Sequence, residues 1–241
     1  MLSDNMIASQ TPNIRRSDER GKADHGWLKS RFSFSFADYY DPAHMGFRAL
    51  RVINDDVIAP HGGFPTHPHR DMEIFSYVLE GQLAHEDSMG NKRVLNPGEI
   101  QLMRAGSGVQ HSEFNPSSDR PARLLQIWIT PHTRGLDPAY TEWTPPAETQ
   151  AKTLVISPDG AEGSARIAQD AKIHRILAGE NESVTHTLAG GRGIWLHVIR
   201  GGASVAGIDL APGDAFSLEH PAGLDIQAGA DGLEALLFDL G

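Results

Sequence analysis

Four residues in this chain have the types and spacing to bind a metal. His67 and His69 stand one residue apart in "GGFPTHPHRDMEIF" (62–75), and His111 and Glu113 repeat that interval 42 positions later in "GVQHSEFN". Side chains at i and i+2 of a strand point to one face, so each pair aims two ligands at the same side of a sheet. Neighbouring strands would then bring four ligands together. Three imidazoles and one carboxylate suit a divalent first-row metal, with one or two positions left open for solvent or substrate. Such a centre is reactive rather than structural. With 12 histidines in 241 residues, an H-x-H is expected about 0.6 times by chance, so each pair gains weight only from its context. The competing reading is a polar barrel rim with incidental histidines.

The context comes from the segments that must position these residues. Gly (25) and Pro (15) recur throughout, and the stretches between them are short and rich in Val, Ile, Leu, Phe and Trp. This grammar predicts an all-β chain. Strands are expected at "FRALRVIND" (47–55), "EIFSYVLEG" (73–81), "GQLAHEDS" (81–88), "EIQLMRAG" (99–106) and "ARLLQIWIT" (122–130), with turns at "SMGN" (88–91) and "NPGE" (96–99). Pro68 lacks an N–H and belongs at a strand start or edge, which puts His67 and His69 near a barrel mouth. Gly62, Gly63, Gly106 and Gly108 permit the close backbone approach that would join the two pairs. The pattern "YVLEGQL…VLNPGEI" (77–100) returns as "HVIRGGA…DLAPGDA" (197–215), which indicates two copies of one β unit. Segment 133–152 reads as a connector and 157–171 as a loop or short helix. A boundary near 135–150 follows.

Composition narrows the function. The formal charge is -10, from 31 acidic and 21 basic residues, and no basic run exceeds Arg15-Arg16, which argues against direct nucleic-acid binding. The absence of cysteine removes thiolate ligands and disulfides, leaving His and carboxylate as the strong metal ligands. No apolar run of roughly 18 residues suggests a membrane span, and the first residues lack the apolar core of a signal peptide, so a cytoplasmic protein is expected.

The motifs resemble a known family. "G-x3-H-x-H-x3-E…G" followed by "P-G-E…G-x2-H-x-E-x-N" is similar to the two cupin motifs. The wording "HPHRDMEIFSYVLEGQLAHEDSMGN" with "AGSGVQHSE" resembles the pirin family, from about residue 14 to the final "ALLFDL", and most of all its bacterial branch with quercetin 2,3-dioxygenase activity. The resemblance implies a bicupin: a loose extension (1–13), an N-terminal jelly-roll barrel carrying the metal (14–140), and a C-terminal barrel without a metal site (141–241). It implies one metal held by His67, His69, His111 and Glu113, with Glu73 structural or supporting. Iron is favoured, and Zn, Mn, Co, Ni and Cu are compatible with these ligands. The implied substrates are a flavonol and O₂, with Glu113 as general base for the substrate hydroxyl. The alternative implied role is a metal-dependent regulatory or redox-sensing protein that acts through a protein partner.

The remaining candidates have weaker expectations. Aligning Val198 with Val78 places Thr187 and Ala189 where the first barrel has His67 and His69, and leaves His186 one position out of register, facing the opposite side. His85 is expected in a surface ion pair with Glu86. His25, His44, His61, His132, His174, His197 and His220 have no partner at ligand spacing. Phe47, Phe64, Met103 and Phe114 are candidates for lining an aromatic pocket. Metal affinity should fall as pH drops through the histidine range.

Overall fold

A computed structural model describes residues 11–241, which form strands and two single-turn 3-10 segments. The loose extension expected at the N-terminus lies outside the described residues up to position 10. Its described end is already ordered: Asn13–Arg15 pairs with Ala215–Ser217 in the C-terminal half.

The N-terminal half is built from two sheets. One has seven strands in the order Ala139–Trp143, Ile100–Arg104, Glu73–Glu80, Ala122–Ile129, Leu50–Ile58, Leu28–Phe32 and Gly21–Asp24. The other has four, in the order Gly63–His69, Val109–Phe114, Leu83–Asp87 and Lys92–Leu95. The sheets face each other, since Leu83 and Leu95 of the small sheet share a buried cluster with Ile58, Val78 and Leu124 of the large one. Gly63–His69 is an edge strand, as Pro68 requires.

The large sheet is buried on both faces, which explains why strands such as "EIFSYVLE" read as almost unbroken apolar runs. Phe75, Tyr77 and Leu79 point away from the barrel into a cluster shared with Val155, Ile156, Trp195, Leu236 and Phe238 of the C-terminal half. Polar contacts pin the same face: Tyr77 donates to Glu234 at 2.8 Å, and Arg200 donates to the Leu79 carbonyl at 2.9 Å. The two halves are therefore joined by core packing.

The opposite face looks into the barrel and carries a polar row. Asn54 pairs with Gln126, Gln126 with Ser76, and Ser76 with Gln101, so four adjacent strands present polar side chains side by side. Above and below that row the interior is apolar, with Ile74 and Met103 on one side and Val78 and Leu124 on the other.

The C-terminal half is one nine-stranded sheet wrapped around a second core. Two long strands, Gly193–Val205 and Gly223–Leu240, run through it and are broken in register between Val198 and Arg200 and between Gly201 and Ala203. Such bulges let one strand bend and serve two walls.

Two expectations need correction. The connector read over 133–152 contains the strand Ala139–Trp143, which forms an edge of the large sheet and buries Trp143. Its Pro and Thr content hid a short alternating stretch, "AYTEW". The strand read over 47–55 runs instead from Leu50 to Ile58, because Phe47 and Leu50 close a tight turn by an isolated bridge.

Phe238 is fully buried in the shared cluster. Phe238→Ala should destabilise the protein by about 3–5 kcal/mol. Because both halves contribute to that cluster, calorimetry should show one unfolding transition that moves to lower temperature as a unit, without splitting in two.

Candidate metal centre

His67 and His69 come from the edge strand Gly63–His69, and His111 comes from its neighbour Val109–Phe114, directly across from His67. Gly63 permits this approach: a Cβ there would collide with the Glu113 carbonyl and with Phe114. The three imidazoles offer nitrogen donors within 4.8 Å of one another. His67 Nε2 and His111 Nε2 are 3.1 Å apart.

Hydrogen bonds decide which of these nitrogens carry protons. His67 Nδ1 lies 2.8 Å from the Pro65 carbonyl, which can only accept, so in the neutral ring Nδ1 holds the proton and Nε2 presents a lone pair. On the other side, Asp87 Oδ2 accepts from His85 Nε2 at 3.2 Å. Burial holds the His85 pKa below its usual value, so the ring is neutral and its Nδ1 is an acceptor. His111 Nδ1, 3.4 Å away, therefore donates to it, and His111 Nε2 is left bare. Two lone pairs thus face each other at 3.1 Å, an arrangement that repels unless a cation lies between them. The donor set fits a divalent metal.

His69 and His111 are poised in their neutral form. Burial, reinforced by the neighbouring His67, lowers His69 to about 4. Burial also drives His111 far below the ordinary imidazole value, with His67, His69 and His85 adding to the effect and Asp87 opposing it. His69 packs edge-on against Trp128, with centroids 5.0 Å apart.

Glu113 is placed differently from its three partners. The donor atoms fall into two overlapping groups, His67/His69/His111 and His85/His111/Glu113, with His111 in both. The register shifts between His111 and Glu113, so Glu113 pairs with Phe64. Its carboxylate turns to the large sheet: Oε1 accepts from Ser76 at 2.9 Å and Gln101 at 2.7 Å, and Oε2 accepts from Gln126. Complete burial raises its pKa to about 7 despite those three donors. A carboxyl that exchanges its proton near neutrality thus sits against the imidazoles.

A cavity of about 440 Å³ opens onto the centre, lined by His67, His69, His111 and Glu113 with Trp27, Phe32, Phe36, Phe64 and Trp128. Its size suits a small aromatic ligand. Of the four residues singled out for lining it, Phe64 does so. Phe47 packs on Trp195 at the junction of the halves, Met103 is enclosed with Ile74 and Val109, and Phe114 faces outward because it alternates with Glu113. His25 also reaches the lining, through a loop position that no strand period marks.

The sequence reading placed His85 at the surface, and the structure corrects this. His85 is buried and bonds Asp87, while Glu86 points outward to Lys92. The signal was available: in "LAHED" residues 83, 85 and 87 alternate inward, which makes His85 and Asp87 an inward pair. Glu73 bonds Arg104 at 2.9 Å, away from the imidazoles. His186 also departs from expectation, since it faces the interior of its half while Thr187 is exposed. It bonds Asp239 at 3.1 Å, and Arg192 engages the same carboxylate. Both three-donor groups found among the described residues lie in the N-terminal half.

Comparison with known proteins bears on this centre. The chain matches the family described as Pirin over residues 13–129 and the quercetinase C-terminal cupin domain over residues 154–240. It is 47% identical over 227 residues to the Escherichia coli K12 protein named quercetin 2,3-dioxygenase, covering 94% of this chain and 97% of that one. The crystal structure of YhhW from Escherichia coli superposes with a TM-score of 0.93 at 45% identity, covering 96% of this chain and 98% of that one. A second structure, of bacterial pirin YhhW from Escherichia coli in complex with nickel(II), gives 0.91 at 46% identity, covering 95% and 99%.

Two outcomes follow from the geometry. His85→Phe keeps the packing but removes the acceptor that orients His111, so metal affinity should fall about 10- to 100-fold in chelator competition, with Glu86→Gln unaffected. In metal-free protein His111 stays neutral when folded and takes a proton when unfolded near pH 6.5, so its contribution to stability is lost as pH falls below that value. Urea titrations at pH 7, 6 and 5 should therefore show a shallower acid loss for His111→Gln than for wild type, by up to about 1.4 kcal/mol per pH unit.

Proposed function

The chain belongs to the pirin family, and on that premise we propose that it is a metal-dependent quercetin 2,3-dioxygenase that opens the central ring of a flavonol with O₂. The observation that carries this reading is the pair of bare Nε2 atoms on His67 and His111, set at the wall of an aromatic-lined cavity. The apolar cavity behind the donor set is also the feature that separates an enzyme from a regulator acting through a protein partner.

His67, His69 and His111 would hold the metal, with Glu113 beside them. Iron is the metal we favour, and the nickel complex of the Escherichia coli relative supports the view that such a site accepts other first-row ions. When bound, the metal supplies a Lewis acid that favours the ionised form of the substrate hydroxyl. The remaining work falls to the protein. Trp27, Phe32, Phe36 and Trp128 provide flat apolar walls that orient an aromatic ligand and exclude water. Glu113, held near pKa 7, accepts the hydroxyl proton. Ser76, Gln101 and Gln126 fix the carboxylate for that transfer, and as donors they favour its ionised state. Among the described residues no helix is long and apolar enough to cross a membrane, and a cytoplasmic location completes the proposal.

Oxygen uptake on a panel of flavonols, with iron-loaded protein under air, tests the reading. Wild type should consume O₂ with quercetin. Glu113→Gln should retain metal on the three imidazoles while turnover falls about 100-fold or more. Failure of metal-loaded wild type to consume any flavonol would sink the enzyme reading.

A further inference from the structure

The cavity contains polar atoms that no other described residue satisfies. Asn54 and Asp56 lie two apart on Leu50–Ile58, so both face inward, and both line the cavity that holds the imidazoles. They are 4% and 2% exposed, yet Asn54 Oδ1 and Asp56 Oδ1 have no hydrogen-bond partner among the described residues. Of the polar neighbours, Ser30 pairs with Asp56 across the strands and reaches its carboxyl without satisfying Oδ1, while Ser76, Gln101 and Gln126 all bond Glu113. The surrounding walls are Trp27, Leu28, Phe32 and Phe36.

Buried acceptors are almost always satisfied, and one left unpaired destabilises the fold. Two such atoms side by side, facing a cavity, are accounted for by a ligand that brings the missing donors. Burial holds the Asp56 carboxyl up at about 7, with Asp55 and Glu113 adding to the effect and Ser30 opposing it, so a neutral ligand donor is better matched here than a cation. A flavonol ring between the apolar walls supplies its donors through ring hydroxyls.

We propose that Asn54 and Asp56 form the specificity-determining subsite of the cavity, accepting hydrogen bonds from ring hydroxyls of a polyhydroxylated aromatic substrate remote from its metal-directed edge. The proposal rests on the flavonol reading for the identity of that substrate. A site built to bind a hydroxyl rejects the analogue that lacks it, because its own buried groups are then left unpaired.

Anaerobic equilibrium binding to metal-loaded protein tests this with two probes. Quercetin carries hydroxyls on both outer rings, and 3-hydroxyflavone keeps the metal-directed edge without them. Wild type should prefer quercetin by about tenfold or more. Asn54→Leu/Asp56→Leu should abolish most of that preference, while Asp56→Asn, which keeps an acceptor, should preserve most of it. Thermal unfolding supplies a readout that a structural role would move the other way: the double Leu variant should melt no lower than wild type, because it removes unpaired buried atoms. Should the double variant fail to fold, Asn54→Leu alone should still reduce the preference. Equal binding of the two probes by wild type, or an unchanged preference in a folded Leu variant, overturns the subsite. Preference without O₂ uptake would contradict the dioxygenase reading and leave the subsite standing, whereas no binding of either probe would overturn both.

Discussion

Two unprotonated nitrogens facing each other across 3.1 Å, His67 Nε2 and His111 Nε2, form the constraint on which the rest of the centre depends. With both rings neutral, neither can relieve the repulsion by moving its proton from Nδ1 to Nε2. His67 is fixed by the Pro65 carbonyl, and His111 by a chain through His85 to Asp87. Asp87 anchors that chain: burial alone would raise its pKa, but bonds from Asn91, from His85 and from the backbone of Asn91 and Met89 keep it below the usual carboxylate value. The turn after Leu83–Asp87 thus reaches the centre through three hydrogen-bonded links. His111, which flanks a register shift in its strand, is oriented by the turn that follows the neighbouring strand.

The large sheet serves two purposes because its two faces are chemically different. Phe75, Tyr77 and Ile127 alternate with Ile74, Ser76 and Gln126, and the first set joins the halves while the second faces the barrel interior, where Ile74 and Gln126 line the cavity. The C-terminal half therefore contributes to the centre without touching it. It covers the outer face of the sheet that carries Ser76, Gln101 and Gln126, and it leaves those side chains rigidly presented to Glu113. Glu113 in turn couples the two sheets, since its strand belongs to one and its three donors to the other.

Much of this was legible in the sequence. The two i, i+2 pairs pointed to His67, His69 and His111, and the short apolar stretches between Gly and Pro punctuation located five of the eleven strands in the two sheets of the N-terminal half. Glu113 was legible as a participant, while its turn toward Ser76, Gln101 and Gln126 depends on a register shift that strand periodicity does not encode. His85 was misjudged because its sequence neighbour Glu86 suggested an ion pair, whereas the inward period of 83, 85 and 87 selects Asp87. The polar row was hidden for another reason: Asn54, Ser76, Gln101 and Gln126 are scattered over more than 70 positions and become neighbours only through strand pairing. His186 shows the limit of aligning one repeat on another, since a shift of one position reverses the face.

The most direct test of the central claim is a crystal structure of iron-loaded protein with anomalous scattering recorded at the iron edge. A single anomalous peak is expected between His67 Nε2, His69 and His111 Nε2, at about 2.0–2.2 Å from the ligating nitrogens, with His111 Nδ1 still bonded to His85. A peak elsewhere, or ligation of His111 through Nδ1, would contradict the account, because the hydrogen bonds from Pro65 and Asp87 would then not determine where the metal binds.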